Sequence, residues 1–295
     1  MTQSNALVQS HFLDSGAFSL WTAAAKYAKE NNCDVWKFYD TKQFYSYMDA
    51  YAAFIKKYKV AIDLYANLDV IPNPELTWRN QLYLEKKGLT PVPVIHYKTS
   101  TKWVEHYIRH GYKIIGLGGL VGSTIESSCI RWLDKCFSII CDTKDRLPKV
   151  KVHGFGVSGH ELLTHYPWWS VDSTNWFRLG SFGTLLIPTK TRTQEYDYMA
   201  KPQKISVSTD SPKYKTGKGH WVTLSLAEQI VLQEWLDFIK IPLGTADGND
   251  NIIEPGVTNH YSYRTKANLL YYQKLCENLP KWPHPFKKKY VKGFF

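Results

Sequence analysis

The sequence has no long apolar run and few cysteines. No stretch approaches the roughly 18 to 20 apolar residues that span a bilayer, and the opening stretch MTQSNALVQS lacks the basic and apolar regions of a signal peptide. We therefore expect a cytoplasmic protein with no membrane partner. The 5 cysteines are odd in number and form no CxxC pair, which argues against a disulfide framework and a thiolate zinc site. Reduced thiols are expected.

Acidic residues are also scarce, since 26 Asp and Glu stand against 37 Lys and Arg for a net charge of +11. Such a charge attracts polyanions, and nucleic acid is the first candidate partner. A hydrophobic content of 44% excludes a disordered chain. Aromatic residues reach 15%, and their rings suit stacking on bases. The alternative is that many of these rings fill the core.

Strand and helix patterns alternate along the first two thirds of the chain. Apolar, β-branched stretches predict strands at residues 11–16, 61–69, 91–97, 112–119, 150–156, 168–173 and 184–189. Apolar residues recur at helical spacing in residues 43–58, 73–88, 100–111 and 127–140. This alternation predicts an α/β fold of parallel units, and we expect a TIM-type (β/α) barrel in residues 1–190. A full barrel needs eight strands, and only seven are predicted here. The barrel is therefore incomplete or modified if no further strand is present. For residues 191–295 we expect a basic loop and a helical C-terminal extension.

Several predicted strands end in polar residues or glycines. In a β/α barrel the carboxyl ends of the strands share one face, where active sites lie. Residues far apart in sequence are therefore expected to converge there, and they are Asp14, Ser15, Asn67, Asp69, His96, Gly118, Gly119, Gly154, Gly156 and Asp172.

Three of these residues are carboxylates, and two of them, Asp14 and Asp172, form the candidate catalytic pair. A pair of carboxylates about 5 to 5.5 Å apart can break a glycosidic bond with retention, one as nucleophile and the other as general acid/base. Each has a simpler alternative. Asp172 in SVDST is also a natural helix N-cap, and Asp14 before Ser-Gly can stabilise a turn.

Five motifs, in order, resemble those of the tRNA-guanine transglycosylases. FLDSGAFS resembles their T-D-S-G-G-[FY]-Q stretch, YANLDVIPNP their F-D-E-C-x-P-Y-P stretch and IGLGGLVGS their I-G-G-L-A-V-G-E loop. VHGFGVS stands at their M-G-V-G turn, and SVDSTNW at their F-D-C-V or F-D-S-A stretch. The resemblance covers roughly residues 11–189. It implies a TIM-type barrel that cleaves the bond between a base and its sugar.

The resemblance also implies roles for single residues. It gives Asp172 the role of nucleophile and Asp14 that of general acid/base. The implied base-binding residues are Asp69, His96, Gly118, Gly119, Leu120, His153, Ser15 and Asn67. Asp69 before VIPNP is equally a loop former, and His96 and His153 are alternatively core histidines.

The departures from the family pattern bear on the substrate. His96 stands where the family has its base-reading glutamine, and GGLVGS is one residue shorter than the family loop and lacks its glutamate. The base therefore need not be guanine. The family's C-x-C-x-x-C and His zinc site, which braces the tRNA-holding part, is absent. The chain is similar to the short phage- and defence-associated relatives that act on DNA by excising a modified base or by exchanging a base for a free 7-deazaguanine.

A base within a duplex must be flipped out to enter a rim pocket, and basic and aromatic side chains are needed to hold the strand. The candidates for nucleic-acid contact are Trp176, Arg178, Lys190, Arg192, Lys215, Lys218, Lys287 and Lys288. Core packing or a solvated surface charge is the alternative for each. We expect no metal and no cofactor. The alternative functions are a tRNA-guanine transglycosylase and a nucleic-acid-binding barrel without catalysis; a small-molecule glycosidase has little need for a charge of +11.

Overall fold

The computed structural model describes residues 10–120, 127–211, 219–247 and 251–288. Contacts group the chain into two compact units that interleave in sequence. Unit 1 comprises Met1–Val157, Tyr166–Asp172 and Trp282–Phe295. Unit 2 comprises Ser158–His165 and Ser173–Lys281. The sequence-based prediction places one boundary, at residue 190, whereas these two units each contain separate segments of the chain.

Unit 1 alternates short strands with helices. Its elements are β1 (Phe12–Leu13), α1 (Ala17–Asn31), α2 (Lys42–Lys57), β2 (Leu64–Tyr65), α3 (Pro74–Lys86), β3 (Val94–His96), α4 (Lys102–Arg109), β4 (Ile114–Gly118), α5 (Ser127–Ile140), β5 (Lys151–Gly154) and β6 (Ser170–Val171), with a 3₁₀ helix at Val35–Asp40. Local signals explain several boundaries. The Asn73 side chain accepts a hydrogen bond from the N–H of Leu76 and Pro74 follows at the first helical position, so α3 begins there.

Unit 2 is helical with small antiparallel pairs. Its elements are α6 (His160–His165), α7 (Asn175–Ser181), β7 (Thr184–Ile187), β8 (Thr189–Lys190), β9 (Tyr196–Asp197), β10 (Gln203–Ser206), α8 (Leu226–Ile239), β11 (Thr245–Ala246), β12 (Ile252–Glu254) and α9 (Tyr261–Asn278), with a 3₁₀ helix at Trp221–Thr223. Ser225 and Glu228 form a capping box at the start of α8.

The strands of unit 1 form one parallel order. β1 pairs with β2, and β3, β4, β5 and β6 pair in sequence order. A parallel bridge between Ala66 and Val92 joins the two groups. The described strands therefore run β1-β2-β3-β4-β5-β6, and no described pairing closes them into a barrel.

This strand order is strongly curved. In a flat sheet β1 and β5 lie four strand spacings apart, about 19 Å at roughly 4.8 Å each. The ring centroids of Phe12 on β1 and His153 on β5 are 4.5 Å apart. Side chains stand perpendicular to a sheet, so rings on these two strands meet only on a concave face.

Helices cover the convex side of this order with an apolar cluster. Side chains such as Phe38, Phe44, Met48, Ile55 and Leu84 are buried in it. Phe44, Met48 and Ile55 lie on α2 at positions i, i+4 and i+11, which is the spacing of one helix face.

Two of the departures from the sequence-based prediction concern the predicted barrel, residues 1–190. The stretch at 184–189 contains β7, which pairs antiparallel with β10 and does not extend the parallel order. Helix α1 has no counterpart in the predicted elements, although its alanine-rich sequence favours a helix. No helix of the described ranges has the length and apolar composition to cross a membrane.

Candidate active site

The predicted site residues of unit 1 lie where its strands end. Parallel strands place their carboxyl ends at one edge, and Asp14, His96 and Gly118 lie at or directly after the ends of β1, β3 and β4. Asp172 follows β6 in the same way. The curvature of the strand order brings these strand ends toward one another along one curved edge, which is called the rim below.

Glycines on β4 make room inside the rim. Gly116 and Gly118 face the same side, two residues apart. A Cβ on Gly116 would lie 2.5 Å from Cε2 of Phe155, and one on Gly118 would lie 3.1 Å from Cδ2 of His96. Both glycines therefore leave the concave face open to rings from neighbouring strands.

Asp69 and His96 form a buried pair at this rim. The side chain of each is 6% exposed, and Oδ2 of Asp69 lies 2.7 Å from Nε2 of His96. The hydroxyl of Ser15 donates to Oδ1 of Asp69 at 3.1 Å. The three residues thus lock the ends of β1, β2 and β3 together.

Burial shifts the pKa of each member of this pair toward its uncharged form. Burial raises the pKa of Asp69 to about 7. The hydrogen bond from Ser15 lowers this pKa, and the nearby charge of Asp14 raises it. Burial lowers the pKa of His96 to about 4. The imidazole is therefore uncharged at pH 7, and the contact is a hydrogen bond rather than a full ion pair. A carboxyl that titrates near neutrality can donate to or accept from a ligand.

Asp14 lies beside this pair but is exposed. Its Oδ1 accepts the backbone N–H of Ser15 at 2.8 Å, a local contact of the kind that the turn-forming alternative predicts. Burial, followed by the charges of Asp14 and Asp69, raises the pKa of Tyr51. The phenol, which donates to the carbonyl of Ala66 at 2.8 Å, lies at the same end of the strands as both carboxylates.

Asp172 is held by a second set of contacts, on β5 and β6. Its Oδ1 accepts the N–H of Gly156 at 2.8 Å and lies 3.6 Å from Nε2 of His153. Nδ1 of His153 lies 2.8 Å from the hydroxyl of Ser170. Gly156 has a φ of 68°, which glycine adopts without strain and which aims its N–H at the carboxylate.

These contacts keep Asp172 ionised. Its side chain is 58% exposed. Partial burial raises its pKa, but hydrogen bonds from His153 and the N–H of Gly156 outweigh that effect, so the pKa lies below its usual value. The N-cap alternative is not what the structure shows, because the N–H of Asn175 bonds to the hydroxyl of Ser173 instead. The result is a negatively charged, accessible carboxylate.

Phe12 links the two halves of the rim. Its ring contacts those of His153 and Phe155, with centroids 4.5 and 5.6 Å away. Phe12 and Asp14 are two residues apart and share a face. Asp14 and the His153–Asp172 pair therefore belong to one concave surface, while the predicted 5 to 5.5 Å carboxyl separation stays a prediction.

The other predicted base-binding residues differ in their surroundings. The amide of Asn67 is buried and donates to the carbonyl of Thr77 at 2.8 Å, so it braces the start of α3. Gly119 has a φ of 72° and lies against Tyr97. Leu120 is buried. The rest of the GGLVGS loop, from residue 121, lies outside the described residues.

The predicted nucleic-acid contacts are spread over both units. Arg178 and Arg192 of unit 2 are exposed and Trp176 is half-buried. Lys190 forms an ion pair, because its ammonium lies 2.6 Å from the carboxylate of Glu234. Lys287 and Lys288 of unit 1 are exposed. Lys215 and Lys218 lie outside the described residues.

Residues that hold the site in place escaped the sequence analysis. Ser170 orients His153, and Phe12 joins the two halves of the rim. Ser170 was detectable in principle, because it lies two residues before Asp172 on the same face of a strand. The role of Phe12 depends on curvature and has no local signal.

Comparisons with known proteins find no relative for this chain. No protein-family model matches it, no curated protein matches it, and no solved structure matches its fold. The likeness to the transglycosylases therefore rests on the five short motifs alone.

The rim combines four chemical features. It has an ionised, exposed carboxylate at Asp172, a second exposed carboxylate at Asp14, a buried pair with shifted pKa values, and two glycines whose missing side chains make room for the rings of Phe155 and His96. Within the described part of the chain, no group of three or more His, Cys, Asp or Glu side chains has a metal-binding arrangement. Such a site can attack a carbon centre and move a proton.

Proposed function

We propose that this protein is an enzyme that breaks the N-glycosidic bond of a nucleotide in DNA, with Asp172 as the nucleophile. The observation that supports this most directly is the placement of Asp14, the Asp69–His96 pair and the His153–Asp172 pair on one concave rim. The motif order supports it independently. The finer fold that we infer is a TIM-type barrel, of which the six parallel strands of unit 1 are the larger part.

The proposed reaction has two displacements. The carboxylate of Asp172 attacks the anomeric carbon, an ester bond forms, and the electron pair of the C–N bond leaves with the base. The base takes a proton from Asp14, which enters this step as the carboxylic acid and leaves it as the carboxylate. Asp14 then accepts a proton from water, or from a free base, as that molecule attacks the anomeric carbon and releases Asp172. His153 and Gly156 keep Asp172 ionised and aimed.

The base is read by the Asp69–His96 pair in this proposal. An extruded base that enters above Gly118 meets an uncharged imidazole and a carboxyl that titrates near pH 7. Such a pair can present either a donor or an acceptor to a polar edge of the base. Because His96 replaces the family's glutamine, we infer that the base differs from unmodified guanine.

DNA is the favoured substrate for two reasons. The sequence lacks the thiolate zinc motif that accompanies tRNA binding in the resembling family, and its charge of +11 suits a polyanion. Excision and exchange share the ester intermediate and differ only in whether water or a free base resolves it.

The test is mass analysis of the bases released from ordinary DNA, hypermodified phage DNA and tRNA, with and without free 7-deazaguanine bases. We expect release from, or insertion into, a modified DNA, and no product with the Asp172→Asn protein. Reaction with tRNA alone would leave the chemistry standing and replace the substrate. Absence of product from every nucleic acid, with binding retained, would favour the non-catalytic barrel.

Asp14→Asn is expected to slow base release by about 10²- to 10⁴-fold, because an amide cannot transfer the proton. The side chain keeps its size, and its oxygen can still accept the N–H of Ser15. Single-turnover kinetics measure the effect, and Asp49→Asn on α2 is a matched control for loss of one carboxylate. A rate within twofold of the parent would remove Asp14 from the mechanism.

Prolonged treatment with EDTA is expected to leave base release unchanged. In the proposed reaction a carboxylate, not a metal-bound water, attacks the sugar, and the sequence has no thiolate cluster. The rate is compared before and after chelation, and metal content is measured by mass spectrometry. Loss of activity that zinc restores would contradict the prediction.

A further inference from the structure

A cleft of about 790 Å³ lies in unit 1 along α5 and the loop that joins α5 to β5. Its lining includes Arg131, Lys135, Ser138, Arg146, Lys287 and Lys288. Arg131, Lys135 and Ser138 form one stripe of α5 at i, i+4 and i+7. The segment after α9, residues 279–288, is called the tail, and its Lys287 and Lys288 add two further lysines to the lining.

Cations dominate this cleft. Five of the lining side chains are Arg or Lys and two are Asp, which leaves a net charge of +3. Asp134 is buried and accepts the hydroxyl of Tyr166 at 2.9 Å, and Asp142 accepts the N–H of Lys144 at 2.8 Å. None of the five cations forms an ion pair with a carboxylate of the described residues, although ion pairs occur at several other Lys and Arg side chains.

Contacts between Phe286 and Arg146 hold the tail against the loop that follows α5. The N–H of Phe286 donates to the carbonyl of Arg146 at 2.9 Å, and the guanidinium of Arg146 lies 5.6 Å from the centre of the Phe286 ring. That ring is buried and stacks on Tyr166. Lys287 and Lys288 are therefore held beside Arg146.

The cleft shares no lining residue with the candidate active site. Helix α5 returns from the end of β4 to the start of β5, so its last turns and the following loop lie toward the opposite edge of the strands. The carboxyl end of α5 carries about half a negative charge, which is small against a net charge of +3. Converging cations without carboxylate partners are suited to phosphate groups.

We propose that this cleft binds a ligand that carries at least two phosphate groups, at a site apart from the rim of Asp14 and Asp172. The lining cations come from three segments, α5, the loop after it and the tail that contains Lys287 and Lys288, and their net charge of +3 exceeds the charge of about −2 that one phosphate group carries. A nucleic-acid backbone and a free polyphosphate both provide such groups. The proposal does not depend on the glycosidic activity.

The test compares two variants that each lose two positive charges. Arg131→Gln/Lys135→Gln alters the cleft, and Lys56→Gln/Lys59→Gln alters exposed lysines outside its lining. Calorimetry measures binding of inorganic tripolyphosphate, and fluorescence anisotropy measures binding of a labelled single-stranded 12-nucleotide DNA. Circular dichroism and thermal melting establish that both variants fold.

We expect the cleft variant to bind at least one probe about tenfold or more weakly, and the control less than about threefold. If the DNA is the probe affected, the slope of log affinity against log salt should flatten by about 0.7 for each phosphate that the variant no longer neutralises. An effect on tripolyphosphate alone identifies a small phosphorylated ligand. Unchanged binding of both probes, or equal losses in the two folded variants, overturns the proposal.

Discussion

Asp172→Asn protein is expected to release bases at least about 10⁴-fold more slowly than the parent, because removal of a covalent nucleophile costs roughly 10⁴- to 10⁶-fold in comparable enzymes. The amide is neutral and cannot form the ester. Its oxygen can still accept the N–H of Gly156, and Nε2 of His153 remains beside it, so the rim should keep its shape. Single-turnover assays on the reactive DNA measure the rate.

Binding separates this effect from misfolding. The variant should bind the same DNA within about threefold of the parent and should melt at nearly the same temperature. Ser173→Ala, one residue further along, is the neighbouring control and should retain activity. An Asp172→Asn protein that is folded and fully active would rule out the covalent mechanism.

Single variants of the buried pair are expected to change the pH dependence of stability in opposite directions. In Asp69→Asn, buried His96 keeps a pKa below 6.5, near 4, so the unfolded chain binds more protons between these values. The free energy of unfolding should therefore rise with pH there, by up to about 1.4 kcal/mol per pH unit. The gain is complete above pH 6.5.

In His96→Gln the sign reverses. Asp69 keeps a pKa raised from 3.8 toward about 7, so the folded chain binds more protons between these values. Its free energy of unfolding should fall as pH rises through this window, with a slope of up to the same size. In the parent the two contributions oppose each other from about pH 4 to 6.5 and nearly cancel.

Urea unfolding at several pH values between 4.5 and 6.5 measures these slopes. The Asp69→Asn/His96→Gln protein is the reference, because it retains every other titrating group and lacks both members of the pair. Slopes of the same sign in the two single variants, relative to that reference, would show that burial does not shift the two pKa values in opposite directions.

The positions of many elements were predictable because their signals are local. The apolar period of residues 127–140 predicts a helix, and α5 spans Ser127–Ile140. Polar residues at the ends of apolar runs marked Asp14, Asp69, His96 and Asp172 as candidates, since a strand that stops at a functional edge changes from apolar to polar there. The six strands from β1 to β6 all fall inside predicted stretches.

Charge and composition also limited the function before any fold was known. The net charge of +11 and the missing thiolate motif are properties of the sequence. They favour a polyanionic partner because long-range attraction depends on the sum of charges. They do not decide which side chains face that partner, as the pairing of Lys190 with Glu234 illustrates.

The sequence by itself determined which residues end the strands and which of them carry carboxylates. Only the tertiary structure decided that Asp69 contacts His96 and Ser15, that His153 reaches Asp172, and that β7 pairs antiparallel with β10. Helical and strand periods are set by neighbouring residues, whereas these pairings depend on strand register and on a curvature that brings Phe12 of β1 to His153 of β5. That curvature is the sum of many weak contacts between distant segments, and no short stretch of sequence encodes it.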